Sequence, residues 1–463
     1  MPFIFYDFET TGLSKQFDQF VQFGAVFADD DLNELDSLNI RCRRLPHIIP
    51  SPVAMRLTRN EPADLEECEL SHYDATNVIL DWCQSKGPCI YAGHNSMSFD
   101  EDFLRQALYQ NLHEPFLTNT NGNSRADILL IAQCFFHHAP GVLEVPPGVG
   151  GRFVLRLGQL ARANGIELSE EDAHDALADV RATVGVASVM KNGSPELWDH
   201  MIGFSSRHGV DEFLASEDRF FASFFFGGRP FSYVVTEVAR SAEDDKEIAL
   251  FDLTHDPINY IALSRDDLVE VLNSTPKVIR TIRSNKQPTL VPLARQSDYL
   301  RGDMPSAEVL THRVQQLQEA DEFRARLAEA LPLRYEPFEQ SDHVEERIYD
   351  GFPDDANKAL MVRFHLTELE QRHQVVENFT DERFRELGNR LLCAQDERLV
   401  SDDGRATYRA WLQRRHHEEM DSGWRTVDEA LREIDDIERE NPADAEGYER
   451  LREYITSIAV EPA

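Results

Sequence analysis

Two acidic residues interrupt a strongly apolar segment near the start of this 463-residue chain, in FIFYDFETTG (residues 3–12). Asp7 and Glu9 are two residues apart, so on a strand their side chains point to the same face of a sheet. Carboxylates held side by side repel each other, and either one of them binds a proton or both bind a cation. Hard cations such as Mg²⁺ prefer oxygen ligands. The segment therefore predicts a metal site at a strand end, and the alternative is an exposed strand end with solvated acids.

The chain has three successive regions that differ in their sequence patterns. Residues 1–195 alternate strand-like and helix-like segments, which indicates a mixed α/β domain. Residues 200–340 begin with aromatic and β-branched segments separated by turn signals, which are typical of a mostly β domain. Residues 341–463 are charged and have helical periodicity, which predicts a helical domain with an acidic outer face.

Composition limits the possible functions. The net charge of −36 argues against nucleic acid, because phosphate binding needs cations. Net charge does not describe the local field in a groove, however, and metal-binding carboxylates count as negative although their metal reverses the local sign. No segment approaches the length of a membrane span, so we expect no membrane contact. The absence of signal-peptide features and of CxxC pairs indicates a cytoplasmic protein with reduced thiols.

Two further motifs carry acids at the start of predicted helices. In GHNSMSFDEDFL (residues 93–104) Asp100 begins a helix, where it could also serve merely as a cap. In AHDALADV (residues 173–180) His174 lies where a helix begins and Asp179 lies more than a turn inside it. Small residues surround Asp179 and predict close packing, where an acid needs a partner. An ordinary surface acid is the alternative.

Taken in this order, the motifs D-x-E, N-x-x-x-F-D and H-x-x-x-x-D resemble the DEDDh exonuclease family. The resemblance extends to HVEERIYDGFPDDANKALMVRF (residues 343–364), which is similar to the bacterial exonuclease I family. It implies a ribonuclease-H-like exonuclease domain with a mixed sheet at 1–195, an SH3-like β-rich domain at 200–340 and a helical domain at 341–463.

The resemblance also implies a reaction. It is the 3′→5′ hydrolysis of single-stranded DNA in repair and recombination, with release of 5′-mononucleotides and two Mg²⁺ ions per site, Mn²⁺ being an alternative. Asp7 would be shared by both ions, Glu9 and Asp179 would hold the ion that activates water, and Asp100 would hold the other. His174 would be the general base.

Substrate contacts are implied in two places. The residues that follow the acids of the first motif could grip the terminal nucleotide, with Leu13 wedged against its base, although they could also form a simple turn. Two arginines match family positions near the DNA path, with a surface ion pair as the alternative. The candidate residues are Thr10, Thr11, Gly12, Leu13, Arg125 and Arg156.

The family also binds the acidic C-terminal tail of single-stranded DNA-binding protein, and we expect a monomer. The basic segment at residues 277–301 could be a DNA wall or, with Arg283, Lys286 or Arg313, a dock for such a tail. A solvated sheet edge is an equal alternative.

Two other functions stay open. The first is an RNA-processing or proofreading exonuclease, although such proteins typically end soon after the H-x-x-x-x-D helix whereas this chain continues to residue 463. The second is a scaffold that binds single strands without cutting, against which the complete set of catalytic residue types argues. Two histidine pairs are not interpreted as metal sites: RRHHEE (residues 414–419) predicts a solvated helix face, and His137–His138 a helix end.

Overall fold

The computed structural model describes residues 1–168, 175–336, 339–418 and 423–459. The elements up to residue 216 are β1 (Phe3–Thr10), β2 (Phe20–Ala28), β3 (Glu34–Arg41), α1 (Pro52–Leu57), α2 (Pro62–Glu66), α3 (His72–Ser85), β4 (Ile90–Gly93), α4 (Asp100–Gln110), β5 (Ser124–Asp127), α5 (Ile128–His138), α6 (Leu157–Ala163), α7 (Ala176–Gly193), α8 (Pro195–Gly203) and α9 (Arg207–Ser216).

The first sheet is mixed and has the strand order β3-β2-β1-β4-β5. The pairs β1–β2 and β2–β3 are antiparallel, whereas β1–β4 and β4–β5 are parallel. The strand with the two acids, β1, is thus central and is covered on both faces, which explains its nearly continuous apolar sequence. The mixed ribonuclease-H-like sheet predicted for residues 1–195 is confirmed.

The two faces of β1 belong to different hydrophobic clusters. Phe3 and Phe5 pack into the core that contains α5, α7 and α8, and Ile4 and Tyr6 pack into a second core with α3 and α4. Because side chains alternate along a strand, Asp7 and Glu9 continue the face of Phe3 and Phe5. The acids therefore face the side on which α7 lies.

The elements within residues 200–340 that follow α9 are β6 (Phe220–Phe226), β7 (Arg229–Arg240), β8 (Glu247–Asp252), α10 (Arg265–Asn273), β9 (Ile279–Arg283), β10 (Leu290–Pro292), α11 (Ala307–Gln318) and α12 (Asp321–Ala330). The strands form a second sheet that is entirely antiparallel, with the order β10-β6-β7-β8-β9. Its core is continuous with that of the first sheet. The SH3-like arrangement and the domain boundaries 1–195, 200–340 and 341–463 stay predictions.

The C-terminal region is helical, as predicted, and contacts the first region in two places. One group of helices packs against Tyr73 of α3 and Tyr109 of α4. The last two helices pack against Met55 of α1 and Leu65 of α2. Among the helices of the described ranges, none is both long and apolar enough to cross a membrane. The elements of this region are α13 (Asp355–Leu366), α14 (Arg372–Val376), α15 (Glu382–Gln395), α16 (Asp402–His417), α17 (Val427–Glu440) and α18 (Ala445–Ser457).

The prediction of a solvated face at residues 414–419 was wrong for Arg415 and His416, whereas Arg414 and Glu418 are exposed, as predicted, and Glu419 lies outside the described residues. Arg415 is 2% exposed and His416 is fully buried. The Arg415 guanidinium pairs with the buried carboxylate of Glu345 at 3.2 Å, and a ring nitrogen of His416 lies 2.9 Å from the Pro46 carbonyl oxygen. These partners come from distant segments, and a local sequence pattern does not reveal them.

The pair His137–His138 ends α5, as predicted, and both imidazoles are buried against the second sheet. A ring nitrogen of His138 lies 2.9 Å from Ser223 Oγ, and one of His137 lies 3.1 Å from Ser232 Oγ. The two serines are themselves 2.8 Å apart. The histidines therefore join α5 to the second sheet through hydroxyl groups.

Candidate active site

Three carboxylates from two elements converge at the end of the first sheet. Asp7 and Glu9 come from β1, and Asp179 comes from the first turn of α7 rather than from more than a turn inside the helix, as was predicted. One carboxylate oxygen from each residue lies within 4.8 Å of those of the other two. This arrangement provides the oxygen ligands that Mg²⁺ and Mn²⁺ prefer.

A glycine allows α7 to approach the strands. Gly24 of β2 is the partner of Asp7 in the β1–β2 ladder. A Cβ at residue 24 would lie 2.4 Å from the carbonyl carbon of Ala176 and 2.4 Å from the backbone nitrogen of Leu177, so only glycine fits beneath this first turn of α7. The close approach brings Asp179 to the two acids of β1.

The start of α7 is also fixed by hydrogen bonds. Asp175 is the N-cap and accepts a hydrogen bond from the Ala178 N–H through Oδ1. Its other oxygen accepts one from Gln22 Nε2 at 2.7 Å. Gln22 stands opposite Glu9 in the β1–β2 ladder. One side chain therefore links the helix start to the strand that neighbours the acids.

The fourth acid reaches the site from α4. Asp100 is the first residue of that helix, as predicted, and its buried Oδ1 accepts a hydrogen bond from the Phe8 N–H at 3.0 Å. The N-cap residue is Phe99, so Asp100 is not the cap. The preceding loop is held by Asp127, whose carboxylate accepts hydrogen bonds from the backbone N–H groups of Asn95 and Met97. The Asp100 carboxylate is thus held beside β1 at the backbone of Phe8, the residue between Asp7 and Glu9.

The acids oppose one another's ionisation. Burial, followed by repulsion from Asp179 and Asp100, raises the pKa of Glu9 to about 8. Burial raises the pKa of Asp100 to about 7. Burial and then the charges of Asp100, Glu9 and Asp179 raise the pKa of Asp7 well above its ordinary value. A divalent cation would reverse this balance, because it stabilises every ionised carboxylate around it. The donor set therefore fits divalent metal ions.

His174 lies outside the described residues, so its role as general base stays a prediction. The neighbouring residue on its C-terminal side is Asp175, the N-cap of α7.

The segment that follows the acids of β1 borders a cavity of about 690 Å³ next to Glu9. Thr10 Oγ1 donates to the Gly12 carbonyl oxygen at 2.7 Å, and Thr11 Oγ1 donates to Asp18 at 2.9 Å. Leu13 is 81% exposed and lines the cavity. The segment is thus a turn held by hydroxyl groups with one free apolar side chain, and its role in substrate binding stays a prediction.

The two arginines predicted near the DNA path differ in their surroundings. Arg125 is buried, pairs with Glu101 at 3.1 Å and donates to the Asn285 carbonyl oxygen. Arg156 is exposed just before α6. Contact of either arginine with DNA stays a prediction.

The three candidate docking cations all have partners within the chain. Arg283 forms an ion pair with Asp244. Lys286 donates to the Met97 carbonyl oxygen at 3.2 Å, and Arg313 donates to that of Leu253 at 2.6 Å.

Sequence reasoning missed the residues that support the acids and the turn that follows them. Asp18 is the clearest example, because its carboxylate accepts hydrogen bonds from Thr11 Oγ1 and from the Ser14 N–H. A signal was present: QFDQFVQF (residues 16–23) places an acid in an apolar run, as the first motif does. Gln22 and Asp127 gave no comparable signal.

Comparisons with known proteins agree with this geometry. Residues 4–187 match an exonuclease family model, and residues 342–458 match the model of the exonuclease I C-terminal domain. Exodeoxyribonuclease I of Escherichia coli is 27% identical over 401 residues, which cover 83% of each chain. That of Haemophilus influenzae is 26% identical over 406 residues, covering 83% of this chain and 84% of the relative.

Solved structures agree over nearly the whole length. The exonuclease I of Methylocaldum szegediense has a TM-score of 0.85 and 25% identity, and covers 99% of this chain and 100% of its own. E. coli exonuclease I gives the same TM-score at 23% identity, with the same coverage.

The ribonuclease-H-like sheet, the carboxylate cluster and the matched exonuclease model define the chain as a DNA exonuclease, a phosphodiester hydrolase. The relatives and the solved structures match both the exonuclease region and the C-terminal region. They therefore identify the type of DNA exonuclease to which the chain belongs. The chain belongs to the bacterial exonuclease I family.

Proposed function

We propose that the chain degrades single-stranded DNA from its 3′ end and releases 5′-mononucleotides at the carboxylate cluster. The observation that carries this proposal is the convergence of Asp7, Glu9 and Asp179 within 4.8 Å, with Asp100 fastened beside the same strand. Structures of E. coli exonuclease I in complex with dA16 and dT13 oligonucleotides support the choice of substrate.

The four acids would hold two divalent ions, Mg²⁺ or Mn²⁺, with Asp7 shared between them. When bound, such ions lower the pKa of water and neutralise the charge that develops on a phosphate during hydrolysis. The protein fixes the ligands before the substrate arrives, because α7 is seated on Gly24 and Asp100 is tied to β1. This rigidity keeps the reacting groups aligned.

Other residues would bind and orient the strand. The segment Thr10–Leu13 would hold the terminal nucleotide, with the exposed Leu13 against its base. His174 would accept the proton of the attacking water, and the bond to the 3′ oxygen of the preceding nucleotide would break. Arg125 and Arg156 would be placed along the strand.

The proposed setting is DNA repair and recombination in the cytoplasm, by a monomer. All six cysteines are free thiols, which supports a reducing compartment. A solved structure described as SSB/exonuclease I, 22% identical to this chain with a TM-score of 0.81, supports single-stranded DNA-binding protein as a partner.

Three substrates test the proposal. The purified protein is given Mg²⁺ with single-stranded DNA that has a free 3′ end, with blunt duplex DNA, or with RNA of the same sequence. We expect mononucleotide release from the single-stranded DNA and none after chelation. Faster release from RNA would favour the RNA-processing alternative, and binding without release would favour a non-cutting scaffold.

A 3′-blocked single strand is the matched control. If blocked and free strands disappear at the same rate, the 3′→5′ direction is wrong. Strands labelled at the 5′ end distinguish the two polarities directly.

A further inference from the structure

The cavity beside Glu9 has one wall that does not come from the exonuclease region. The near wall consists of the end of β1, the segment Thr10–Leu13 and α1. The opposite wall contains Gly423, Trp424 and Arg425, together with Glu433 of α17. A volume of about 690 Å³ is within the usual range for a site that binds a small molecule.

On the near side, Asp18 organises the segment Thr10–Leu13. Its carboxylate accepts hydrogen bonds from Thr11 Oγ1 and the Ser14 N–H, each at 2.9 Å. It lies so close to residue 12 that a Cβ there would be 2.4 Å from Asp18 Oδ2, so any larger residue at position 12 would displace this carboxylate. The position of this carboxylate therefore sets the shape of the turn.

On the far side, Arg425 lies between two acids. Its Nε lies 3.0 Å from Glu433 Oε2, and its Nη1 lies 3.8 Å from Asp18 Oδ1. Glu433 uses its other oxygen to accept hydrogen bonds from Ser51 Oγ at 2.6 Å and from the Val53 N–H at 3.2 Å. Ser51 is the N-cap of α1.

The three charged residues thus form a bridge, Asp18–Arg425–Glu433, between the two parts of the near wall. One end fixes the turn after β1 and the other end fixes the start of α1. A direct hydrogen bond from Ser14 Oγ to the Gly423 carbonyl oxygen, at 3.2 Å, runs alongside it.

We propose that Arg425 is a positioning residue for the terminal nucleotide, and that the bridge Asp18–Arg425–Glu433 sets the width of the pocket that binds it. This inference rests on the proposed function. The C-terminal region thereby takes part in binding the nucleotide next to the metal ligands.

In a purely structural role, the bridge would only attach the C-terminal helices to the exonuclease region. This role explains fewer of the observed contacts. That attachment is already made by an apolar cluster in which Val427, Ile434 and Tyr448 pack against Met55 and Leu65. An ion pair with partial exposure adds only about 0–1 kcal/mol. The bridge lies at the cavity, where it determines how the turn and α1 are spaced.

Binding of the product tests the proposal without requiring catalysis. Thymidine 5′-monophosphate is titrated calorimetrically, in the presence of Mg²⁺, into the full chain and into Arg425→Met. We expect binding about tenfold weaker in the variant, which corresponds to about 1.4 kcal/mol. Arg425→Lys should recover part of the loss, because it keeps the charge.

Steady-state kinetics give a second measurement. With single-stranded DNA, Arg425→Met should raise KM about tenfold and leave kcat within about twofold, because the metal ligands are untouched. Glu433→Gln should act in the same direction, and the double variant should be little worse than either single variant, since both belong to one bridge.

Arg439→Met is the matched control, since Arg439 lies on α17, is 75% exposed and pairs only with Asp436 among the ion pairs of the described residues. It should change neither binding nor KM. Equal product affinity in Arg425→Met and Arg439→Met would overturn the proposal, as would a loss of thermal stability without a change in KM. If the unaltered chain binds the monophosphate but does not degrade single strands, the proposed function is wrong, whereas the inference about the nucleotide pocket is retained.

Discussion

Gly24 of β2 lies so close to Ala176 of α7 that a Cβ on residue 24 would be 2.4 Å from the Ala176 carbonyl carbon. Gly24 is also the ladder partner of Asp7. The same residue therefore sets the height of the helix above the sheet and stands next to a metal ligand. The distance between Asp179 and the acids of β1 depends on this one missing methyl group.

We expect Gly24→Ala to lower activity far more than stability. The added methyl must push the first turn of α7 away, which moves Asp179, and a misplacement of about 1 Å costs about 10²-fold in rate. Overpacking destabilises by about 1–3 kcal/mol. Initial rates on single-stranded DNA and chemical denaturation measure the two effects.

Gly87→Ala is the control for that variant. Gly87 has a φ of +75° and no atom within 4 Å of a built Cβ, so alanine is strained there without a clash. It should lose some stability and keep its activity. Equal activity losses in the two variants would contradict the role given to Gly24.

We expect Asp7→Asn to reduce cleavage by at least about 10³-fold, since the loss of a shared metal ligand removes several kcal/mol of transition-state stabilisation. Strand binding should largely survive, because the residues of the turn and the cavity are intact. Rates and fluorescence anisotropy on the same oligonucleotide measure both properties.

Asp102→Asn provides the comparison for an acid of the same neighbourhood. Asp102 is in the first turn of α4, near Asp100, but it pairs with Lys15 at 2.5 Å. The cleavage rate of Asp102→Asn should stay within a few fold of the rate of the unaltered protein. A nearly normal rate for Asp7→Asn would refute its assignment as a ligand.

Metal removal should make the stability of the protein depend on pH. The folded-state pKa values of Glu9, about 8, and Asp100, about 7, lie above their ordinary values of 4.5 and 3.8. The folded state then binds more protons than the unfolded state, so the free energy of unfolding falls as the pH rises from about 4 to about 8.

Thermal unfolding at several pH values, with EDTA or with Mg²⁺, measures this effect. The stabilisation by Mg²⁺ should be small near pH 5 and grow towards pH 8, because protons and metal compete for the same carboxylates. The difference between the two series removes the contribution of other titrating groups. A stabilisation that does not depend on pH would show that the cluster does not bind the ion.

The buried ion pairs of Glu345 predict a large effect on stability. Burial opposes its ionisation, yet Arg390 and Arg415 hold the pKa of Glu345 below its ordinary value. Their nitrogens lie 2.8 and 3.2 Å from Glu345 Oε1. Glu345→Gln would leave the buried Arg415 charge without its partner, which costs about 3–5 kcal/mol.

Glu386→Gln is the matched control for this prediction. Glu386 also pairs with Arg390, but its side chain is 49% exposed. Its replacement should change the free energy of unfolding by less than about 0.5 kcal/mol. Urea denaturation compares the two variants, and equal midpoints would contradict the prediction.

The parts of this structure that were predictable from sequence are those with local signals. The acids of β1 appear in an apolar strand, Asp100 appears at a helix start and Asp179 appears among small residues of a helix, so that the order of the motifs identified the family. The mixed α/β character of the first region and the helical C-terminal region followed from the periodicity of the apolar residues, and the mixed sheet followed from the family resemblance.

The parts that were not predictable depend on pairs of residues far apart in sequence. Arg415 looks like a surface residue until Glu345 is placed beside it, and the role that we propose for Arg425 depends on Asp18, which is distant in sequence. No local pattern distinguishes a charge that will be neutralised by a distant partner from one that will remain in water. For the same reason Gly24 looked like any other glycine in a strand.

The packing of α17 and α18 on α1 and α2 has a consequence for biosynthesis. Met55 and Leu65 leave the ribosome long before Val427 and Tyr448, which cover them. Domains usually fold as they emerge, but here an apolar face of the nuclease region stays bare until the distant helices α17 and α18 have been synthesised. The cavity beside Glu9 likewise lacks its second wall until residues 423–433 have been added to the growing chain.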